Sequence, residues 1–371
     1  MEDVLFKFEN EAEWKADNNT RAKGYAFDSS GVCHSGSNLA MLFNNISTPD
    51  ELAQLARELN GLFCVVGNSS FGFFAVTDRI RSIPLFYTIK LDQLVVTDNP
   101  YKLVSNPVWE EQSNLEFKTA GYTLGGTTLY KGVSQVEAAS FICYKNNHVS
   151  VIEYFNYTSK QLEHIDYFVA KKELKEVLDR SMQRMLKSIE GRPIAIPLSG
   201  GYDSRFILAW LKMNGYSNVF AFTYGRKGNP DILLAEKVAK KLNTPWICLP
   251  YNDIISQLTE DSSLEDYVLY ASCASSMPFF QDYPAIKNIH ERNLIPFDSV
   301  IVPGHSGDFI AGSHLMPKDN VKTSLSLVNN IFGVHHSYYR VSKAEKKQVL
   351  EKIDEFFNNY PQCTLYSVKE W

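Results

Sequence analysis

The stretch 193–205, PIAIPLSGGYDSR, carries the chemistry-bearing residues of this chain: an apolar run enters a turn formed by Ser199, Gly200, Gly201, Tyr202, Asp203 and Ser204, and a helical pattern follows. Adjacent glycines let several backbone N–H groups point into one concavity, and a helix start adds partial positive charge, so the turn suits an anion, with phosphate the natural candidate. It is not a Walker loop, which needs a lysine before its Ser or Thr. The hydroxyls of Ser199 and Ser204 can donate to phosphate oxygens. Asp203 would repel a polyphosphate unless a divalent cation bridged the two, and this makes it a candidate metal ligand. In the alternative reading Asp203 or Ser204 caps the helix and the glycines serve a tight turn.

Placing that loop requires a strand before it and a helix after it, and the second half of the chain repeats the alternation. An amphipathic helix is predicted from Phe168 to Met185, a helix over 204–213 closed by Gly215, a strand over 218–225, a helix opening at Asn229-Pro230-Asp231, and a strand over 246–251. Strand alternating with helix predicts an α/β doubly wound parallel sheet, whose ligands sit beyond the carboxyl ends of the strands. The segment 272–282 reads as helical, and the chain from 317 onward as helical and polar. Residues 298–312, DSVIVPGHSGDFIAG, repeat the logic of the first loop, with a strand, a turn at Gly304 and an acid at Asp308.

The first half reads differently. Short apolar runs such as GYAFD, LAMLF, LFCVVG, FGFFAVT, PLFYTIK and ASFICY are separated by turn signals and interrupted by helical stretches at 49–60 and near 108–117. Without regular strand–helix alternation, this predicts α+β with mainly antiparallel sheets. Periodic apolar residues lapse near 156–166, so two domains are expected, 1–155 and 165–371.

Composition limits the partners. The 371 residues carry a net charge of −5 and no basic patch, so nucleic acid is not expected. No apolar run is long enough to span a membrane and no leader pattern opens the chain, so it is expected to be soluble and cytoplasmic. The six cysteines, Cys33, Cys64, Cys143, Cys248, Cys273 and Cys363, show no CxxC spacing, which argues against zinc, an iron–sulfur cluster or a disulfide framework. Cys64, Cys143 and Cys248 sit in strand-like runs as small core residues. A homodimer is an allowed assembly.

The string SGGYDS resembles the PP-loop of the N-type ATP pyrophosphatases, the superfamily that holds asparagine synthetase. Three segments of the first half resemble the glutamine-amidotransferase domain of the same family, an Ntn-type αββα sandwich: Leu59-Asn60-Gly61 with the strand after it, 78–87 (DRIRSIPLFY), and 125–133 (GGTTLYKGV). That glutaminase uses a cysteine exposed at the chain start, where its own α-amino group is the base. Here position 2 is Glu, so the sandwich is expected without glutaminase activity.

The resemblance implies ATP and Mg2+ as cofactors. Ser199, Gly200, Gly201, Asp203, Ser204, Thr223, Gly225 and Gly304 would bind ATP or pyrophosphate, and Asp203 and Asp308 would hold the metal. Thr223-Tyr224-Gly225 would frame the base through backbone groups, unless it is only a strand-terminating turn. His305 stands where the family has a glutamate, as a candidate base, or as a loop histidine bonded to backbone; Phe309 replaces the following acid. His314, His335 and His336 are expected to be surface or packing residues. The family's C-terminal helical region, with its catalytic lysine, extends past residue 371. The implied activity is an ATP-dependent amide-forming ligase that adenylates a small-molecule or peptide carboxylate and passes it to ammonia or an amine. The alternative is a nucleotide-binding homologue without that activity.

Overall fold

The structure, a computed structural model, describes residues 4–156, 165–253, 258, 261–305, 307 and 324–358. The first half is a two-sheet sandwich. One sheet runs β1 (Val4–Phe6), β8 (Gln93–Thr97), β7 (Phe86–Lys90), β9 (Ser134–Gln135). The other runs β11 (His148–Glu153), β10 (Ser140–Lys145), β6 (Gly72–Thr77), β5 (Asn60–Ser69), β3 (Thr20–Phe27), β2 (Lys15–Asp17), with β4 (Cys33–Ser35) also paired to β3. The apolar run of β5 is continuous because both its faces are covered. Phe63 and Val65 pack under α1 (Gly36–Met41) and α2 (Pro49–Glu58), while Cys64 and Val66 meet Leu94, Val96 and Ile142 between the sheets.

The run LAMLF, read as a strand, instead enters α1. Leu39 and Ala40 are buried where α1 lies over β2 and β3, and Phe43, in the turn just past the helix, packs on Phe63 and Phe74, positions that a strand would split between two faces. The helix expected over 49–60 is α2, with Thr48 at its N-cap accepting from the Glu51 N–H at 3.2 Å. The weaker stretch near 108–117 becomes α3 (Glu111–Ala120).

Asp78 follows β6 and is 1% exposed. One carboxylate oxygen accepts the N–H groups of Phe63 and Ser82, each at 3.0 Å, and the other accepts that of Ile80 at 2.9 Å. The acid ties the loop 78–86 to β5.

The second half holds a parallel sheet in the order β14 (Trp246–Pro250), β13 (Val219–Gly225), β12 (Ile194–Pro197), β15 (Val300–Ile301). On one face, α4 (Tyr167–Ile189), α5 (Tyr202–Met213) and α6 (Pro230–Lys241) bury Met182, Leu208, Leu211 and Ala235. On the other, α8 (Tyr283–Glu291) places Ala285 and Ile289 against Phe222 and Leu249. The doubly wound expectation holds, and the strand order reverses across β12. Along α4 only the C-terminal half is drawn into the core; Phe168, Val169, Leu174 and Val177 stay exposed.

The segment 272–282 is not the expected helix. Helix α7 (Leu264–Ser272) stops where Cys273 and Ala274 turn left-handed (φ 44° and 51°); the Ser275 and Ser276 N–H groups turn back to Ser272 O, and the rest of the backbone there bonds to the first half. Thr123 N–H donates to Ser275 O at 2.8 Å, Leu129 N–H to Ala274 O at 2.8 Å, and Met277 N–H to Gly121 O at 2.6 Å. These pairings satisfy carbonyls and amides that a helix would have used, and Pro278 could not have continued one. No helix among the described residues is long and apolar enough to cross a membrane.

A second seam joins the halves. Leu115 of α3 packs with Val328 of α9 (Ser324–His335) and with Val349 and Ile353 of α10 (Lys343–Asn358). Just past α9, His336 is 2% exposed, its ring stacked on Phe332 at 5.8 Å and its Nδ1 sharing a hydrogen bond with Thr119 Oγ1 at 3.0 Å. Burial, with the neighbouring His335, pushes its pKa down to about 4. A histidine whose folded pKa lies below the unfolded value of about 6.5 costs stability as pH falls through that window, because the proton goes to the unfolded chain. Taking the wild type from about pH 7 to pH 5 is therefore expected to cost about 2 kcal/mol at this site. His336→Phe should remove that slope in urea-unfolding curves taken across the range; an unchanged slope would place the titration elsewhere.

Candidate nucleotide site

The strand end, the glycine loop and the helix start meet at the carboxyl edge of the sheet. Ser199 N–H donates to Ser204 Oγ at 3.1 Å, the two serine hydroxyls are 3.1 Å apart, and Gly201 N–H donates to Ser199 Oγ at 3.1 Å. The hydroxyls thus close the turn on itself. Arg205 Nε holds Gly201 O at 2.8 Å, with its guanidinium 4.5 Å from the centre of the Tyr202 ring. The N-cap of α5 is Gly201, and no side chain caps the helix. Asp203 sits in the first turn rather than at the cap, so the capping alternative for Asp203 and Ser204 is not what the helix uses. The positive end of α5 opens toward the loop's concavity, as an anion site requires.

The loop after β15 comes to the same place. A β-carbon built on Gly304 would lie 2.6 Å from Ser204 N and 3.0 Å from Ser204 Cα, and one built on Gly307 would overlap the Asp203 side chain. Two turns far apart in sequence are in van der Waals contact at the switch point. His305 is exposed beside Gly304. Asp308, Phe309 and His314 lie outside the described residues, as do Met1–Asp3 and Cys363.

Thr223 is buried and its hydroxyl is engaged by the sheet, donating to Leu198 O at 2.7 Å and accepting from Trp246 Nε1 at 2.8 Å. Gly225 ends β13 with φ +144°, a conformation that L side chains rarely adopt. Along the ends of β12, β13 and β14 runs a cleft of about 730 Å³, lined by Ser199, Thr223, Gly225, Asp231, Tyr251 and Phe280 among others. Its size suits a nucleotide.

Asp231 was legible only as part of a helix start. Asn229 caps α6, its Oδ1 accepting from Asp231 N–H at 3.0 Å, and the Asp231 carboxylate then leans over the first loop against Gly200. No spacing rule connects it to Gly200; only the β13–α6 turn does. With Asp203 it gives the loop an acid on each side. Among the described residues no cluster of three or more His, Cys, Asp or Glu side chains could by itself hold a metal ion. Two carboxylates beside a phosphate site nevertheless fit Mg2+, which takes one or two protein oxygens together with phosphate oxygens and waters.

Deeper in the cleft Tyr224 and Tyr251 stack at 5.2 Å with 10° between their planes, and Tyr224 OH donates to Asp282. Burial first, then that carboxylate, raises both phenol pKa values far above the ordinary range, so both stay protonated.

A parallel sheet with a serine–glycine loop and a helix N-terminus at its switch point makes an α/β domain with a candidate nucleotide site. Residues 173–278 match the family model described as asparagine synthase, so this stretch is similar to that family. A putative glutamine-hydrolyzing asparagine synthetase 1 of Methanocaldococcus jannaschii is 25% identical over 223 residues, which are 58% of this chain and 35% of that protein. The match thus spans about a third of that relative's length.

Among solved structures, the chain is similar to the NH3-dependent NAD synthetase of Campylobacter jejuni (13% identity, 54% of this chain and 80% of that one, TM-score 0.27). It is also similar to the glutamine phosphoribosylpyrophosphate amidotransferase of B. subtilis (11%, 72% and 80%, TM-score 0.26). A third is the glutamine-dependent NAD+ synthetase of Acinetobacter baumannii in complex with ADP (13%, 71% and 51%, TM-score 0.27). The likeness to the asparagine synthase family rests on the loop string and the matched stretch 173–278.

Proposed function

We propose that this protein is an ATP-dependent, AMP-forming ligase that activates a carboxylate and transfers the acyl group to ammonia or an amine. In the first step a carboxylate oxygen attacks the α-phosphorus, the bond to the β-phosphate oxygen breaks, and acyl-adenylate and pyrophosphate form. In the second, nitrogen attacks the acyl carbon, AMP departs, and the surplus proton goes to solvent or to a nearby base, for which the exposed His305 is the candidate. The N–H groups at the start of α5 and the serine turn would hold the pyrophosphate as charge builds on it. Asp203 and Asp231, with Asp308 next to Gly307 in sequence, would hold Mg2+, which when bound offsets phosphate charge.

The observation that carries this reading is the apposition of Gly304 and Gly307 to Ser204 and Asp203. It brings the second candidate loop against the first at the start of α5, an arrangement that a single-loop phosphate binder does not need.

The test is pyrophosphate release from ATP and Mg2+ across a panel of carboxylates, with and without ammonium. Carboxylate-dependent release is expected. ATP binding with no release under any condition would leave a nucleotide-binding protein and remove the ligase. Asp203→Asn is expected to weaken the Mg2+-dependent part of ATP binding by about ten-fold, the size of one charge-assisted contact. Calorimetry with and without Mg2+ checks it.

A further inference from the structure

Next to the nucleotide cleft lies a second cavity of about 400 Å³ between α7 and α8. The two share a wall, the turn 280–284. Phe280, Gln281 and Pro284 line the nucleotide side, and Asp282 and Tyr283 line the other. Tyr224 reaches from the nucleotide cleft to bond Asp282, so that carboxylate stands at the boundary of both spaces.

The charges in this cavity do not balance. Lys287 is its one lysine or arginine, and it is already paired with Asp261 and with Glu291 at 3.7 Å. Its ammonium also donates to Ser263 Oγ at 2.9 Å. Tyr283 OH completes that cluster, donating to the other oxygen of Asp261 at 2.8 Å. Asp282 has no cation among the described residues. Around it the walls are aromatic: Tyr267 stacks on Tyr283 at 4.4 Å and meets the edge of Phe280 at 6.4 Å, while Ile286 supplies an apolar floor. A partly buried carboxylate without a counter-ion, set among tyrosine faces, is a recognised arrangement for an organic cation, which gains both the ion pair and the ring quadrupoles.

We infer that this cavity binds the ammonium group of an organic amine with a small flat or aliphatic body, with Asp282 as its counter-ion and Tyr267 and Tyr283 as its walls. The inference rests on the ligase reading for its meaning, because it makes an organic amine, rather than ammonia alone, a substrate class of that site. The binding itself stands apart from nucleotide chemistry and is tested without it.

The probe is benzylamine, titrated calorimetrically into the full chain in the absence of nucleotide, with benzyl alcohol and benzoate as comparators of similar shape. Benzylamine is expected to bind about ten-fold more tightly than benzyl alcohol, and benzoate not at all. Asp282→Asn keeps an oxygen for Tyr224 but removes the charge, and is expected to bring benzylamine down to the level of the alcohol. Equal binding of amine and alcohol, or an amine preference that survives in Asp282→Asn, overturns the proposal. Should that variant not fold, the comparison of amine with alcohol on the wild type decides alone. ATP titrated into the same samples reports separately on the nucleotide site: failure of ATP to bind removes the ligase reading and leaves the amine result standing.

Discussion

Gly304→Ala is expected to leave the fold intact and to lower pyrophosphate release by more than about 100-fold. The backbone angles of Gly304 suit alanine; what forbids a side chain is the approach of Ser204, whose amide nitrogen and Cα would lie 2.6 Å and 3.0 Å from the new methyl group. Both are backbone atoms in the first turn of α5, and neither can swing away as the end of a side chain would. The two loops must separate by roughly an ångström, and displacements of that size among groups that hold a reacting phosphate cost about two orders of magnitude. A thermal melt close to wild type combined with lost turnover is the expected pair of results. Wild-type turnover would mean that the contact between the loops has no part in the chemistry.

The second large effect is on stability. Asp78→Ala removes one buried carboxylate and strands three backbone donors at once, those of Phe63, Ile80 and Ser82. Each abandoned donor costs on the order of 1–3 kcal/mol, and water entering a widened loop recovers part of the total, so a net loss of about 4 kcal/mol is expected. That is a large share of the roughly 5–15 kcal/mol by which a domain is stable. The urea midpoint followed by far-ultraviolet circular dichroism measures it, and a loss under about 1 kcal/mol would show that the loop 78–86 is held by other contacts.

The residues that were legible are those whose local pattern and final environment agree. SGGYDS sits between an apolar strand and a helix, and it forms the turn its glycines and hydroxyls allow. The apolar run LFCVVG falls in β5, whose two faces are both covered. Leu39–Phe43 misled because five apolar residues in a row satisfy a buried strand and a helix equally, and only the burial of residues 39, 40 and 43 decides. The stretch 272–282 misled for a different reason: its backbone partners belong to Gly121, Thr123 and Leu129, which no local signal can reveal. Nothing local set Asp231 and Asp282 apart as candidate site acids, for the same cause. One reads as a helix start and the other as a helix flank until the chain brings Gly200 to the first and Tyr224 to the second.

That borrowed seam has a mechanical consequence. The chain from Ala274 to Met277 is stitched to the sandwich, and three residues on, Phe280 begins the partition between the two cavities. The sandwich is therefore a buttress for the half that holds the cleft, and whatever jostles Gly121–Leu129 is felt at the partition through a strap too short to absorb it.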